Sequence, residues 1–172
     1  MMLVMAQPLS FDAIAEARRQ WHERWPQAST AMATATAAMR AQQIVLSAVD
    51  SVLRPLGLTF ARYEALVLLS FTRSGTLPMG KMGSRLMIHP TSVTNIVNRL
   101  SDDALVTRSE HPDDGRSTLV RLTPKGRRLA ERATRAVNEI HFGIEGLSDA
   151  EQNTFINLVR TMRLAVGDFS ES

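Results

Sequence analysis

The segment Gly80–Gly126, GKMGSRLMIHPTSVTNIVNRLSDDALVTRSEHPDDGRSTLVRLTPKG, decides how the chain is read. Its periodicity predicts a short helix from about Met79 to Met87, with Met82, Leu86 and Met87 turned inward. A break at His89-Pro90 follows, with the proline suited to a first helical turn. A second helix is predicted from about Thr91 to Asp102. Val93, Ile96, Val97 and Leu100 recur there at the spacing of one buried helix face. Two strands come next, Leu105 to Glu110 and Ser117 to Leu122, joined by the turn formers of His111–Arg116.

The other face of the second helix carries Thr91, Ser92, Thr94, Asn95, Asn98 and Arg99. These are hydroxyls, amides and one cation, with no carboxylate before Asp102. Ordinary solvent faces are rich in Glu and Lys, whereas a face set against phosphates avoids carboxylates. A helix of this kind fits the major groove of duplex DNA. Arg116, at the tip of a narrow hairpin, suits an electronegative minor groove. Asp114, two residues earlier, can orient it through a charge-assisted bond.

Charge is distributed to match. From Pro78 to Ala136 there are eleven Lys/Arg and six Asp/Glu, a net of +5, whereas the whole 172-residue chain carries +3. The middle of the chain is thus where a polyanion would dock. Lys81, Arg85, Arg108 and Lys125 are further phosphate-contact candidates. The chain contains no cysteine, which excludes disulfides and thiolate metal sites. No apolar run reaches the roughly 20 residues that span a bilayer. A cytoplasmic protein is expected, with no membrane partner and no cofactor.

Outside the central segment the chain reads as helices. Ser10 is expected to cap a first helix that Pro26 stops, with Phe11, Ile14, Trp21 and Trp25 on one face. An Ala-rich helix from about Ser29 to Leu53 has apolar surface nearly all round, which calls for deep burial or a partner chain. Pro55 and Gly57 punctuate it, and Thr59 caps a helix from Phe60 to about Phe71. Ser74-Gly75-Thr76 reads as a loop. Thr123-Pro124 opens a helix running to about His141. Ser148-Asp149-Ala150-Glu151 is a capping box for a last helix striped by Phe155, Leu158, Val159, Met162 and Val166.

The predicted fold is mainly α with a small β wing: a winged helix-turn-helix dimerised through N- and C-terminal helices. Residues 1–28 form an N-terminal extension helix. Residues 29–54 and 127–172 form the helical dimerisation region, and residues 55–126 the DNA-binding domain. A homodimer resolves the problem that the end helices cannot bury their stripes against so small a centre.

Over roughly Ser29 to Val166 the chain resembles the MarR family of bacterial transcriptional regulators. The resemblance is carried by Thr59-Phe60-Ala61-Arg62-Tyr63-Glu64-Ala65-Leu66, by His89-Pro90-Thr91-Ser92-Val93-Thr94-Asn95, and by Asn98-Arg99-Leu100. Asp114-Gly115-Arg116, followed by Leu122-Thr123-Pro124-Lys125-Gly126, is its most specific part. It implies a homodimer on a pseudo-palindromic operator, with the recognition helix in the major groove and the wing arginine in the minor groove. For many members it also implies release of DNA by a small aromatic acid or similar effector. Asn95 stands where many members carry a basic residue, so different bases are expected there. The helix from Phe11 to Trp25 lies before the usual family start.

Ser92, Thr94, Asn95 and Asn98 are therefore the expected contacts to base edges or adjacent phosphates, asparagine being able to pair with adenine. Arg99 reaches a phosphate or holds an internal carboxylate, Asp102 or Asp103. Trp21, Trp25, Met39 and Tyr63 could line an effector pocket, with Arg62 as the anchor for an acid; plain core or dimer interface is the competing reading. His22, His89, His111 and His141 share no metal-ligand spacing, so no metal is expected. No nucleophile elbow, phosphate-binding glycine loop or HExxH motif is present, so no catalytic residue is assigned. The alternatives to a regulator, expected to be a repressor, are a dimeric interaction module and a nonspecific DNA-binding protein without effector response.

Overall fold

The computed structural model describes residues 8–111 and 114–170, the side chains of residues 111–116 excepted. The chain forms two compact units that part between Ser47 and Ala48. The first contains helix α1 (Ala13–Arg24), a 3-10 turn (Pro26–Ala28) and most of helix α2 (Ser29–Leu53). The cap of α1 is Asp12 and not Ser10. Its carboxylate accepts from the Ile14 and Ala15 amides at 2.9 and 3.2 Å, and a carboxylate opposes the helix dipole better than a hydroxyl does. Phe11 consequently precedes the helix and Trp25 closes it. On the exposed side Arg19 bonds Glu16 at 2.8 Å, and Gln20 adds a second donor. Arg19, then Gln20, hold the Glu16 carboxyl down at about 2.

The second unit begins with the end of α2, where Val49 and Leu53 are fully buried. Further back, Met39 and Ile44 of the same helix stand exposed. Gly57 ends the following 3-10 turn at φ 72°, a left-handed conformation that costs glycine nothing. The elements after it are α3 (Phe60–Ser70), β1 (Thr76–Pro78), α4 (Met79–Leu86) and α5 (Pro90–Asp102). Next come β2 (Val106–His111), β3 (Asp114–Leu122), α6 (Pro124–Glu139) and α7 (Asp149–Ala165). Leu66 and Leu69 of α3, Met82 of α4, Val97 and Leu100 of α5, Val120 of β3, and Ala133 and Val137 of α6 make one core, all fully buried. Each large member contributes roughly 1.5–3 kcal/mol by leaving water.

Two expectations fail here. Thr76 lies in a strand: β1 pairs antiparallel with β3, Thr76 against Arg121 and Pro78 against Leu119, giving a three-stranded sheet of order β1-β3-β2. Three residues ending in proline carry no strand periodicity, and only a partner some forty residues on makes them one. Met87 does not face inward. α4 stops at Leu86, Met87 turns left-handed at φ 55°, and its side chain is 62% exposed.

Thr59, Thr123 and Ser148 cap α3, α6 and α7 as the sequence predicts, Ser148 through a complete capping box with Glu151. The stripe of α7 (Phe155, Leu158, Val159, Met162 and Val166) is exposed in the single chain. Among the described residues no single helix is long and apolar enough to cross a membrane.

Candidate nucleic-acid interface

His89 caps α5 through its ring, Nδ1 accepting from the Thr91 amide at 3.3 Å, and Pro90 occupies the first turn. This start fixes the rotation of the helix. Val93, Val97 and Leu100 point into the core, and Ile96 is half-buried. Thr91, Ser92, Thr94, Asn95 and Arg99 lie exposed on the outer surface, with Asn98 half-buried at its edge. The Thr94 hydroxyl donates back to the Pro90 carbonyl at 3.1 Å, so towards a ligand it is an acceptor. Ser92, Asn95, Asn98 and Arg99 share a shallow groove with Arg62 of α3 and its cap, Thr59. Lys81 and Arg85 are exposed on α4.

The cations nearby are not equivalent. Arg62 is mostly buried. It donates to the Gly57 carbonyl at 2.9 Å and pairs with the Asp103 carboxylate, leaving its Nε without a partner. Asp103 is therefore held by Arg62 and not by Arg99. Lys125 donates to the Asp103 carbonyl at 2.8 Å. Arg108, projecting from β2, donates to the Asn98 side-chain oxygen at 2.6 Å. The contacts of Arg62 and Lys125 with Asp103 and of Arg108 with Asn98 join residues 41, 22 and 10 positions apart, and no local pattern announces them. Burial pushes the Glu64 carboxyl on α3 above its ordinary value.

The backbone of β3 carries Asp114 and Arg116, whose side chains, with that of His111, lie outside the described residues, as do Pro112 and Asp113. Strands β2 and β3 form a wing, but β3 begins at Asp114 and not at the expected Ser117, so the backbone of Asp114–Arg116 belongs to the strand and not to the connection. Pairing of His111 with Asp114 brings a register irregularity between Glu110 and His111. The base of the wing is locked to α6 at Thr123. Its hydroxyl lies 2.9 and 3.0 Å from the Ala104 and Leu105 carbonyls and accepts from the Gly126 amide at 3.0 Å.

The residues expected near an effector fall in both units. In the first, Trp21 and Trp25 pack on one another with ring centroids 4.8 Å apart, and both remain partly exposed. Met39 lines a recess with Phe11, Ile14 and Thr36. In the second, Tyr63 is 4% exposed and its hydroxyl meets the Thr134 hydroxyl at 3.2 Å, which makes it a member of the α3–α6 core. His22 contacts Ser29 at 3.3 Å and His141 lies 3.5 Å from Glu145. Among the described residues no three His, Asp or Glu side chains gather as metal ligands would.

Comparison with known proteins agrees with this geometry. The MarR family model matches residues 58–118. A MarR family transcriptional regulator of Streptomyces coelicolor, known by crystal structure, is 51% identical. The match covers 83% of this chain and 99% of that one, with a TM-score of 0.76. The Bordetella bronchiseptica protein BpsR, whose DNA binding is regulated by 6-hydroxynicotinic acid, is 27% identical over 74% of this chain and 91% of its own, with a TM-score of 0.68. The organic hydroperoxide resistance transcriptional regulator of Bacillus subtilis is 36% identical over 45% of this chain and 52% of its own. The chain spans from about half to about two thirds of the length of the curated relatives it matches. The fold and the relatives are those of transcriptional regulators, not enzymes: the chain belongs to the MarR family.

Proposed function

We propose that this protein is a homodimeric, sequence-specific DNA-binding transcriptional regulator, acting as a cytoplasmic repressor on a pseudo-palindromic operator. The observation that carries this reading is the exposed outer face of α5, which bears no carboxylate before the last residue of the helix, Asp102, beside a two-stranded wing. Residues 55–126 form the DNA-reading domain, with residues 29–54 and 127–172 holding two copies together and residues 1–28 extending them. α5 enters the major groove, where Ser92, Thr94, Asn95 and Asn98 meet base edges or adjacent phosphates. Arg116 enters the minor groove with Asp114 orienting it. Thr91, Arg99, Lys81 and Arg85 contact the backbone. Repression follows from occlusion of a promoter. A small aromatic or acidic effector relieves it by shifting the dimer away from the spacing of two successive major grooves, roughly 34 Å. BpsR, responding to 6-hydroxynicotinic acid, lends support to the effector part of this reading.

Fluorescence anisotropy on DNA from the protein's own upstream region tests it, beside scrambled DNA and across a salt series. Tight, sequence-dependent binding that weakens with salt is expected. Arg116→Ala should lower affinity by about tenfold or more while leaving thermal stability unchanged. Equal binding of wild type and Arg116→Ala would remove Arg116 from the interface. Equal, weak binding to both DNAs, repeated in a random-sequence selection, would favour an interaction module.

A further inference from the structure

The contact between Arg108 and Asn98 joins the wing to the reading helix. Asn98 lies three residues after Asn95 and four after Thr94, at the edge of the outward face of α5. Arg108 sits in β2 opposite Val120, so its backbone is pinned by the sheet. Its Nη1 reaches the Asn98 amide oxygen at 2.6 Å. Which end of an amide faces a neighbour is usually ambiguous, but here chemistry decides. A guanidinium has five N–H donors and no acceptor, so only the oxygen of Asn98 can face it. The ionised donor makes the bond a strong one.

That orientation changes what Asn98 can read. The familiar asparagine–adenine pair needs the amide oxygen to accept from adenine N6 while the amide nitrogen donates to N7. With its oxygen turned to Arg108 and one of its two lone pairs engaged there, Asn98 keeps its two N–H donors as its main means of reading a base. The base edge with two adjacent acceptors is guanine, through N7 and O6. We propose that Arg108 is a specificity-determining positioning residue: it holds the Asn98 amide oxygen and so makes Asn98 select guanine over adenine. This rests on the DNA-reading function proposed above. It also replaces the simpler role of Arg108 as a phosphate contact, because its effect on binding passes through Asn98.

A phosphate contact and a positioning residue have different signatures. The full-length protein is put through selection from a randomised duplex library as wild type, Arg108→Met, Asn98→Ala and the double variant. Anisotropy then follows on the selected site and on its guanine-to-adenine variant, across a salt series. Arg108→Gln, which offers the amide both a donor and an acceptor, serves as the second variant should methionine disturb the strand.

The wild type is expected to prefer guanine at one base pair per half-site by about tenfold or more. Arg108→Met and Arg108→Gln should each bring that preference to within about threefold, with the salt dependence unchanged. Asn98→Ala should erase the same preference, and adding Arg108→Met to it should change nothing further, as residues acting as a unit do. Uniform weakening on both sites, with a salt slope lower by about one per protomer, would make Arg108 a phosphate contact and overturn the proposal. So would an adenine preference at the base pair that Asn98→Ala relaxes. A wild type that selects no sequence at all would instead overturn the DNA-reading function itself.

Discussion

Gly126 stands in the first turn of α6, where a Cβ would lie 2.1 Å from the Leu105 carbonyl oxygen and 2.9 Å from a Leu122 methyl. The obstacle is backbone, not the end of a flexible side chain, so it cannot simply step aside. Alanine normally favours a helix by up to about 1 kcal/mol over glycine. Here that gain is overwhelmed. Gly126→Ala should destabilise the protein by about 2–3 kcal/mol, in the manner of an overpacked site. At equal protein concentration the melting temperature should fall by roughly 5–10 °C. An unchanged melting temperature would refute the close approach. The sequence motif ending Leu122-Thr123-Pro124-Lys125-Gly126 thus has a mechanical meaning. Thr123 caps α6 and ties it to the Ala104–Leu105 segment that leads from α5 into β2, Lys125 holds the Asp103 carbonyl, and Gly126 lets the two backbones touch.

Among the elements, α1 gives a prediction with a definite pH sign. The Glu16 carboxyl is depressed from 4.5 to about 2, chiefly by Arg19. A depressed acid stabilises the folded helix above its unfolded pKa, and the contribution is lost as pH falls from about 4.5 through about 2. Wild type and Glu16→Gln should therefore differ in amide-exchange protection of α1 near neutral pH, the wild type being better protected. The difference should close between those two values, and a difference that persisted at the acid end would assign it to something other than the ionised carboxylate. The α-helices of the described residues were legible because caps and apolar periodicity are local: Thr59, Thr123 and Ser148 act within three residues of themselves. The wing strands were legible from their turn formers. β1 was not, because its identity lies in β3. The outward face of α5 was also legible, residue by residue. The bonds that tune it were not: Arg62 to Asp103 and Arg108 to Asn98 depend on where α3 and β2 end up, which no local spacing encodes.

At the scale of the whole molecule, the apolar stripe of α7 is the feature that a single chain leaves unsatisfied. Leu158 and Met162 are 62% and 60% exposed and lie one turn apart. A self-complementary interface would cover them in both copies at once. Leu158→Asp combined with Met162→Asp should convert the proposed dimer to monomer in sedimentation velocity and abolish operator binding. A wild type that sediments as a monomer at micromolar concentration would exclude α7 as a dimer seam. The β1–β3 pairing has a consequence of another kind. By joining Pro78 to Leu119 it closes a loop of chain that contains α4, α5 and β2. Closing a loop of roughly 40 residues costs about 3 kcal/mol of chain entropy, so the clasp gains stability only once the helices within the loop have packed. Folding of the reading lobe should therefore run inward to outward, with the shortest strand forming last. The amides of Leu77 and Val120 would then report by hydrogen exchange when the loop has shut, making the least conspicuous strand in the sequence the timekeeper of the domain.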